Sequence, residues 1–456
     1  GNETDDSVQE SNDKRKKRKH RGLDESEFTR WIFASEYSHY NDEVDSTSGL
    51  GEEPLALGDY MEEDGDYLIH PYKTRFSLDL VNGQASFSNV FGYMGTTLFA
   101  FSDILGDHRI FLGTEMVISP ENSDYFFQYD YLRKRTDYSF SFYHTANFFG
   151  SQYQFLRLRH YALDLSLARP FSRFQRIELG ISTHTINHRL YNLAGFDEYE
   201  IGEDISLKAL TYRLNWIYDN SVWGFTGPGD GFRANLQYFQ SLNAYGNKLD
   251  FKTVMLDARR YFRLSRIYTF TLRVMAGQSF GTDAQKFFLG GVDNWIFGVG
   301  ETNGVTDEST RFNPDEYLFE SDQEDYLKNL YFSIFALPVR GTRFLERAGT
   351  SLFLTNFEFR FPFVNYLALG FPLKIIFGNI RGVMFVDAAA AWDGDFNYSY
   401  VNPNTGREEF DDIIVDYGVG IRINLGYFIL RLDTAWDYTM RGSSRPQYYL
   451  SLGTDL

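Results

Sequence analysis

Several long runs of this chain alternate apolar and polar residues with a period of two. In residues 232–242, Phe232, Ala234, Leu236, Tyr238 and Leu242 fall on one side, and Arg233, Asn235, Gln237 and Ser241 on the other. Next, Val254, Leu256, Ala258, Phe262 and Leu264 oppose Thr253, Asp257, Arg259 and Arg263. Tyr268, Phe270, Leu272, Val274 and Ala276 then oppose Thr269, Thr271 and Arg273. Near the end, Phe428, Leu430, Leu432, Trp436 and Tyr438 oppose Arg431, Asp433 and Asp437. Successive side chains of a strand point to opposite faces, so the pattern predicts a sheet with one apolar and one polar face.

The segments run for about ten to fifteen residues, against five or six for a common soluble strand. A tilted membrane-spanning strand needs about 9–11. About sixteen such segments follow one another, centred near residues 78, 97, 113, 128, 143, 160, 181, 212, 238, 257, 273, 357, 386, 420, 433 and 451. Short turns, as at residues 169–172, 263–266 and 424–426, alternate with longer polar loops at 188–204, 281–350, 393–413 and 439–446; the connection 219–230 is also long. Short turns on one rim and long loops on the other is the outer-membrane arrangement, and an even strand count returns both ends of the sheet to the short-turn, periplasmic rim. The predicted fold is all-β, a 16-stranded antiparallel transmembrane β-barrel over residues 72–456. Residues 1–71 are charged and aperiodic, with a basic block at 14–21, and read as a largely disordered lead-in or linker.

Composition agrees with that picture and removes alternatives. Aromatic residues make up 18% of the chain, with Phe 44 and Tyr 32. Mean hydropathy is −0.36, as an apolar-out, polar-in barrel allows. No apolar run is long enough for a spanning helix: residues 361–386 are broken by Pro362, Gly370, Pro372, Lys374, Gly378, Arg381 and Gly382. There is no cysteine, hence no thiolate metal site or thiol nucleophile. The net charge of −18 argues against a nucleic-acid partner. His184 and His188, four apart on one strand face, stand about 13 Å apart at a rise of about 3.3 Å per residue and share no metal. The acidic residues between Asp307 and Asp325 fit a solvated extracellular loop sooner than a Ca²⁺ site, and the pattern leaves both readings open. Ser151 and His160 lack the flanking glycine pattern of a nucleophile elbow. No cofactor, metal or enzymatic activity is expected.

An ordered set of motifs resembles the barrel of the BamA, TamA and two-partner-secretion transporter superfamily, the bacterial surface antigen family. It comprises Phe-Ser-Asp-Ile-Leu-Gly-Asp-His at 101–108, Asp219-Asn220 leading to Gly-Pro-Gly-Asp-Gly-Phe at 227–232, and Phe288-Leu289-Gly290-Gly291 opening the sixth long loop. Val339-Arg340-Gly341 follows at the tip of that loop, then Asn-Phe-Glu-Phe-Arg-Phe-Pro at 356–362 and Phe-Val-Asp-Ala-Ala-Ala-Ala-Trp at 385–392. Two departures stand out: Ala388 and Ala389 follow Asp387 where glycine is usual, and Leu456 replaces the usual terminal aromatic. Related barrels of the Bacteroidota type carry an upstream β-propeller, and the lead-in fits a linker from such a module.

The resemblance implies an outer-membrane protein whose sixth extracellular loop folds into the barrel. A guanidinium entering the lumen is unfavourable unless carboxylates meet it. Glu358 and Asp387 lie on the two strands after the loop, Glu358 sharing a face with Leu354, Asn356 and Arg360. A fork from Arg340 to one of them would pin the loop. Gly341 would let the tip approach the wall. The resemblance also implies an openable seam where the first strand, with Phe76 and Leu78, meets the last, with Leu450, Leu452 and Gly453. Residues 76–82 are expected to pair with 447–455 there. The implied function is insertion of outer-membrane proteins or translocation of polypeptide. Its partners are outer-membrane lipid, client β-barrel or secreted proteins, and accessory periplasmic or cell-surface subunits. The alternative is a non-catalytic barrel anchoring a surface or periplasmic module.

Overall fold

The computed structural model describes residues 72–456 apart from 89–91, 117–122, 151–153, 195–196, 245, 247–248, 293–294, 300–327, 330, 337, 344, 371–374, 403–405, 427–428 and 454–456. The expected lead-in at 1–71 and most of the acidic part of the sixth loop lie outside these residues. Every named element is a strand.

Sixteen long strands occur in chain order. The first eight are β1 (Phe76–Ser88), β2 (Gly92–Asp103), β3 (His108–Met116), β4 (Asp124–Tyr131), β5 (Asp137–Gly150), β6 (Gln154–Pro170), β7 (Gln175–Ala194) and β8 (Asp197–Asp219). The others are β9 (Pro228–Leu242), β10 (Lys252–Arg263), β11 (Thr269–Phe280), β12 (Ser351–Leu369), β13 (Ile375–Trp392), β14 (Ile413–Asn424), β15 (Ile429–Thr439) and β16 (Gln447–Gly453). Each of the sixteen predicted centres falls inside its strand. Each strand is hydrogen-bonded antiparallel to the next, from β1 to β16. Three short pieces join the same sheet: Val222–Trp223, Trp295–Val299 and Gly442–Ser443.

The alternation sorts side chains between two environments. On β12, Leu352, Leu354, Asn356, Glu358 and Arg360 are buried, while Phe353 and Phe357 are exposed. On β13, Phe385, Asp387 and Ala389 are buried, and Met384 and Val386 are exposed. β6 exposes Leu163, Leu165 and Leu167. In water, so much contiguous exposed apolar surface would be a liability. Facing lipid, it is the apolar band of a membrane barrel.

Two expectations are corrected. Residues 188–204, read as a polar loop, are the upper parts of β7 and β8, which pair as far as Ala194↔Asp197 with one register shift between His188 and Leu190. β8 is 23 residues long. Residues beyond the bilayer meet water on both faces, so the period-two signal fades there although the ladder continues. The second correction concerns the seam. Among the described residues β1 pairs only with β2, and Phe76 and Leu78 sit opposite Asp103 and Phe101. Leu450, Leu452 and Gly453 pair with Leu432, Leu430 and Ile429 on β15. The other edge of β16 is taken by Trp295–Val299 from the sixth loop, with Leu450 opposite Phe297 and Ser451 opposite Trp295. A strand edge has one row of free N–H and C=O groups. The loop segment uses that row, so residues 76–82 do not.

The two described limbs of the sixth loop run inside the wall. Phe287–Leu289 pairs in parallel with Ile334–Phe335 and antiparallel with Arg347–Gly349. Phe287, Leu289, Ala336 and Val339 are buried with Met255, Met275, Leu352, Leu354, Ala389, Ala391 and Ile414 of β10–β14. Tyr331 and Phe332 pack against a second cluster built on Ile186, Leu207 and Phe251. The lumen at this level is a packed core, with the loop as its filling.

Candidate functional site

The register of β11–β15 explains where the loop tip binds. Arg273, Asn356, Asp387, Asp416 and Asp437 stand directly opposite one another, strand after strand, in one row. Three carboxylates in adjacent cross-strand positions repel each other. Burial makes that repulsion worse, because it removes the water that would screen them. The row therefore needs donors from elsewhere, and the loop tip brings them.

Arg340 is 2% exposed, Glu358 1% and Asp387 0%. The Arg340 Nε and Nη2 donate to the two oxygens of Asp387, each at 2.7 Å, and Nη1 donates to Glu358 Oε1 at 2.5 Å. The bidentate fork fixes the guanidinium plane as well as its charge. That plane lies over the Phe385 ring, with Cζ 3.5 Å from the centroid, so a cation–π contact closes the remaining face. Glu358 uses its other oxygen for Arg360, which donates through Nε at 3.1 Å and Nη2 at 2.9 Å. Asn356 Nδ2 donates both to Asp387 Oδ1 at 2.7 Å and to the Pro338 carbonyl at 3.0 Å, tying the wall to the backbone beside the tip.

Gly341 reaches one oxygen of the next carboxylate. Its amide donates to Asp416 Oδ2 at 2.5 Å. A Cβ at this position would stand 2.5 Å from Asp416 Cβ and 2.9 Å from the Asp437 nitrogen. The need for glycine here is close approach of backbone to wall. Val339, fully buried, exchanges two backbone hydrogen bonds with Gly291, at 2.9 and 3.1 Å, so the start of the loop is sewn to its tip. Gly290 has φ +110°, and a Cβ there would meet the Arg343 carbonyl oxygen at 2.2 Å. Beyond the tip, the Thr342 carbonyl accepts from Tyr449 Oη at 2.7 Å. The last strand is thus joined to the tip by a side chain.

The structure brings Val339, Arg340, Gly341, Glu358, Asp387, Gly290 and Gly291 into one cluster. It does not bring the five seam residues together: Phe76 and Leu78 are exposed on β1, away from the ladder of Leu450, Leu452 and Gly453. Sequence reasoning missed Asn356, Phe385, Asp416 and Tyr449 as members of the site. The signal for Asp416 was available, since an aspartate inside Ile-Ile-Val-Asp-Tyr at 413–417 is a charge in an apolar strand. Among the described residues no group of three or more His, Asp or Glu side chains is arranged to hold a metal.

An antiparallel wall of sixteen strands with an apolar outer band and a charged loop tip locked to its inner face defines an outer-membrane β-barrel. The Omp85 superfamily domain matches residues 118–455, and the chain belongs to that superfamily, whose members are outer-membrane barrels of Gram-negative bacteria. Among solved structures it is similar to BamA from Haemophilus ducreyi lacking POTRA domains 1–3, with 14% identity and a TM-score of 0.50 over 84% of this chain and 71% of that one. It is also similar to CdiB from Acinetobacter baumannii, with 13% identity and a TM-score of 0.41 over 83% of this chain and 59% of that one. For CdiB from Escherichia coli the identity is 11% and the TM-score 0.42, over 85% of this chain and 64% of that one. These likenesses concern the fold. No curated protein sequence matches the chain.

Proposed function

We propose that this barrel inserts outer-membrane proteins or moves polypeptides across the outer membrane, without covalent catalysis. Its clients are β-barrel or secreted chains, and accessory periplasmic or cell-surface subunits work with it. Superfamily membership supports the general role. Arg340, with Val339 and Gly341, acts as the loop anchor on Glu358 and Asp387, bracing the wall while its ends move. The first strand, with Phe76 and Leu78, and the last, with Leu450, Leu452 and Gly453, are the places at which a client is handled, although they do not pair with each other among the described residues. The observation that carries this reading is the contrast within one sheet: strands β12–β14 are locked to the loop tip, while β1 has a ladder on one side only among the described residues.

Depletion of the protein in its own bacterium tests the reading. Levels of other outer-membrane proteins, or of secreted polypeptides, are expected to fall before growth slows. Unchanged assembly and secretion would overturn it and leave a barrel that anchors a partner module.

A further inference from the structure

The chain carries 62 acidic residues against 44 Lys and Arg. A cavity lined by arginines and no acidic residue is therefore out of character, and the short-turn rim holds one. It has a volume of about 300 Å³ and is enclosed by the turn 224–229, the β10–β11 turn, and the lower parts of β12 and β13. Arg263, Arg266, Arg360 and Arg381 all line it, and no Asp or Glu does. Four guanidinium groups around one space repel one another unless something negative lies between them.

Glu358 and Asp230 reach two of these arginines from outside the cavity. Glu358 binds Arg360, but Arg340 shares it. Asp230 stands 4.0 Å from Arg263 Nε, at the limit of an ion pair. Arg360 Nη1 is held by the Pro228 carbonyl at 2.9 Å, and Arg381 Nη1 by the Ile267 carbonyl at 2.7 Å. These backbone contacts fix the position of both guanidinium groups without neutralising either charge. Arg266 makes no hydrogen bond or ion pair among the described residues. Ser265 Oγ accepts from the amides of Ile267 and Tyr268, which leaves its proton free to donate into the cavity. The Gly-Phe-Thr-Gly-Pro-Gly turn keeps bulk away on the facing side.

We propose that this cavity binds a phosphate-bearing anion. Guanidinium forks match the planar face of a phosphate, and several of them set at different angles favour its tetrahedral oxygens over a single carboxylate. The same chemistry has two sources, the headgroup of an anionic phospholipid and a soluble phosphate. The surroundings favour the headgroup: Phe225, Leu264 and Ile267 are exposed apolar side chains beside the arginines, as at a boundary between acyl chains and headgroups. The inference concerns binding at the periplasmic rim and does not depend on the proposed insertion or translocation role.

The test uses the full chain in detergent and a paired set of variants, Arg263→Gln with Arg266→Gln, and Arg266→Lys. Both positions are exposed and lie outside the loop anchor. Native mass spectrometry with phosphatidylglycerol and phosphatidylcholine reads headgroup binding. Thermal shift with pyrophosphate reads soluble phosphate. The expected result is a preference for phosphatidylglycerol of about tenfold, lost in the double glutamine variant and partly kept by Arg266→Lys, with the melting temperature of the double variant within the parent's range. A pyrophosphate shift that phosphatidylglycerol abolishes would also support the site, with soluble phosphate as the source. Equal binding of the two lipids with no pyrophosphate shift, or a preference unchanged in the double variant, would overturn the proposal. So would binding of an acidic peptide in the absence of any response to either phosphate source.

Discussion

One sheet contains two regions that differ in almost every physical respect. Strands β10–β15 enclose a packed lumen in which Arg340, Glu358, Asn356, Asp387 and Asp416 are all buried and hydrogen-bonded across four elements. At the other end, residues 72–83 are exposed throughout and β1 has one neighbour among the described residues. The first region owes its order to charges that are unfavourable until the loop arrives. The second lacks buried contacts of that kind, so little opposes its separation from a neighbour. Local stability follows buried contacts; the wall is accordingly held at β12–β14 and left loose at β1.

The largest test of this contrast removes the clamp. Arg340→Ala leaves Glu358 and Asp387 buried without their shared cation, and breaking a buried pair in this way costs about 3–5 kcal/mol. The unfolding midpoint in detergent is expected to fall accordingly. In the parent, amides of β12 and β13 are expected to exchange with solvent far more slowly than those of β1, and the substitution should narrow the gap. Arg340→Lys should recover only part of the loss, because an ammonium cannot serve both Asp387 oxygens and Glu358 in one plane. Equal midpoints for parent and both variants would remove the anchor from the account.

Legibility from sequence divides along the same line. The sixteen strands were readable because lipid on one side and lumen on the other impose a strict alternation within the bilayer, and residues 352–360 of β12 and 383–389 of β13 obey it residue by residue. The pair of Glu358 and Asp387 with Arg340 was readable for the same reason: phase assigns a face. The row that joins Asp387 to Asp416 and Asp437 was not, because it depends on register between strands, and register is set by turns and bulges rather than by phase. Asp416 lies on the third strand after the loop and is brought opposite Asp387 only by the pairing of β13 with β14. The closing strand pair failed for a related reason. Edges carry no side-chain signature of their partner, and Trp295–Val299 from the sixth loop offers backbone groups to β16 as competently as β1 would.

A smaller effect probes how closely the tip must approach the wall. Gly341→Ala places a methyl against Asp416 Cβ and the backbone of β15. Overpacking of this kind costs about 1–3 kcal/mol. It should lower the unfolding midpoint less than Arg340→Ala while raising the rate at which protease cuts the sixth loop. A variant with parental cutting would mean that the tip shifts without cost. Smaller again is Tyr449→Phe, which removes the donor to the Thr342 carbonyl. The loss is about 0.5–1.5 kcal/mol. Because this bond runs from the last strand to the tip, faster amide exchange is expected in β16 and around residue 342 together. Change in only one of them would show that the two regions are not coupled through it.

The smallest expected effect lies at the long-loop rim, where Lys286 on the inward limb meets Asp393 just past β13. Burial pushes the Asp393 carboxyl up, but the hydrogen bond from Lys286 Nζ at 2.6 Å, its charge, and the Thr350 amide at 2.9 Å outweigh that and hold it below the ordinary value of 3.8. A carboxylate whose folded pKa is depressed adds stability above its unfolded pKa and loses it as pH falls through the folded value. The difference in unfolding midpoint between the parent and Lys286→Ala should therefore be constant from pH 7 to 5 and shrink below about pH 4. Asp393 is half exposed, so solvent screens the pair and the difference should stay within about 0.2–1 kcal/mol even at neutral pH. A difference that grows on acidification would mean that Lys286 acts through the packing of its limb and not through this carboxylate.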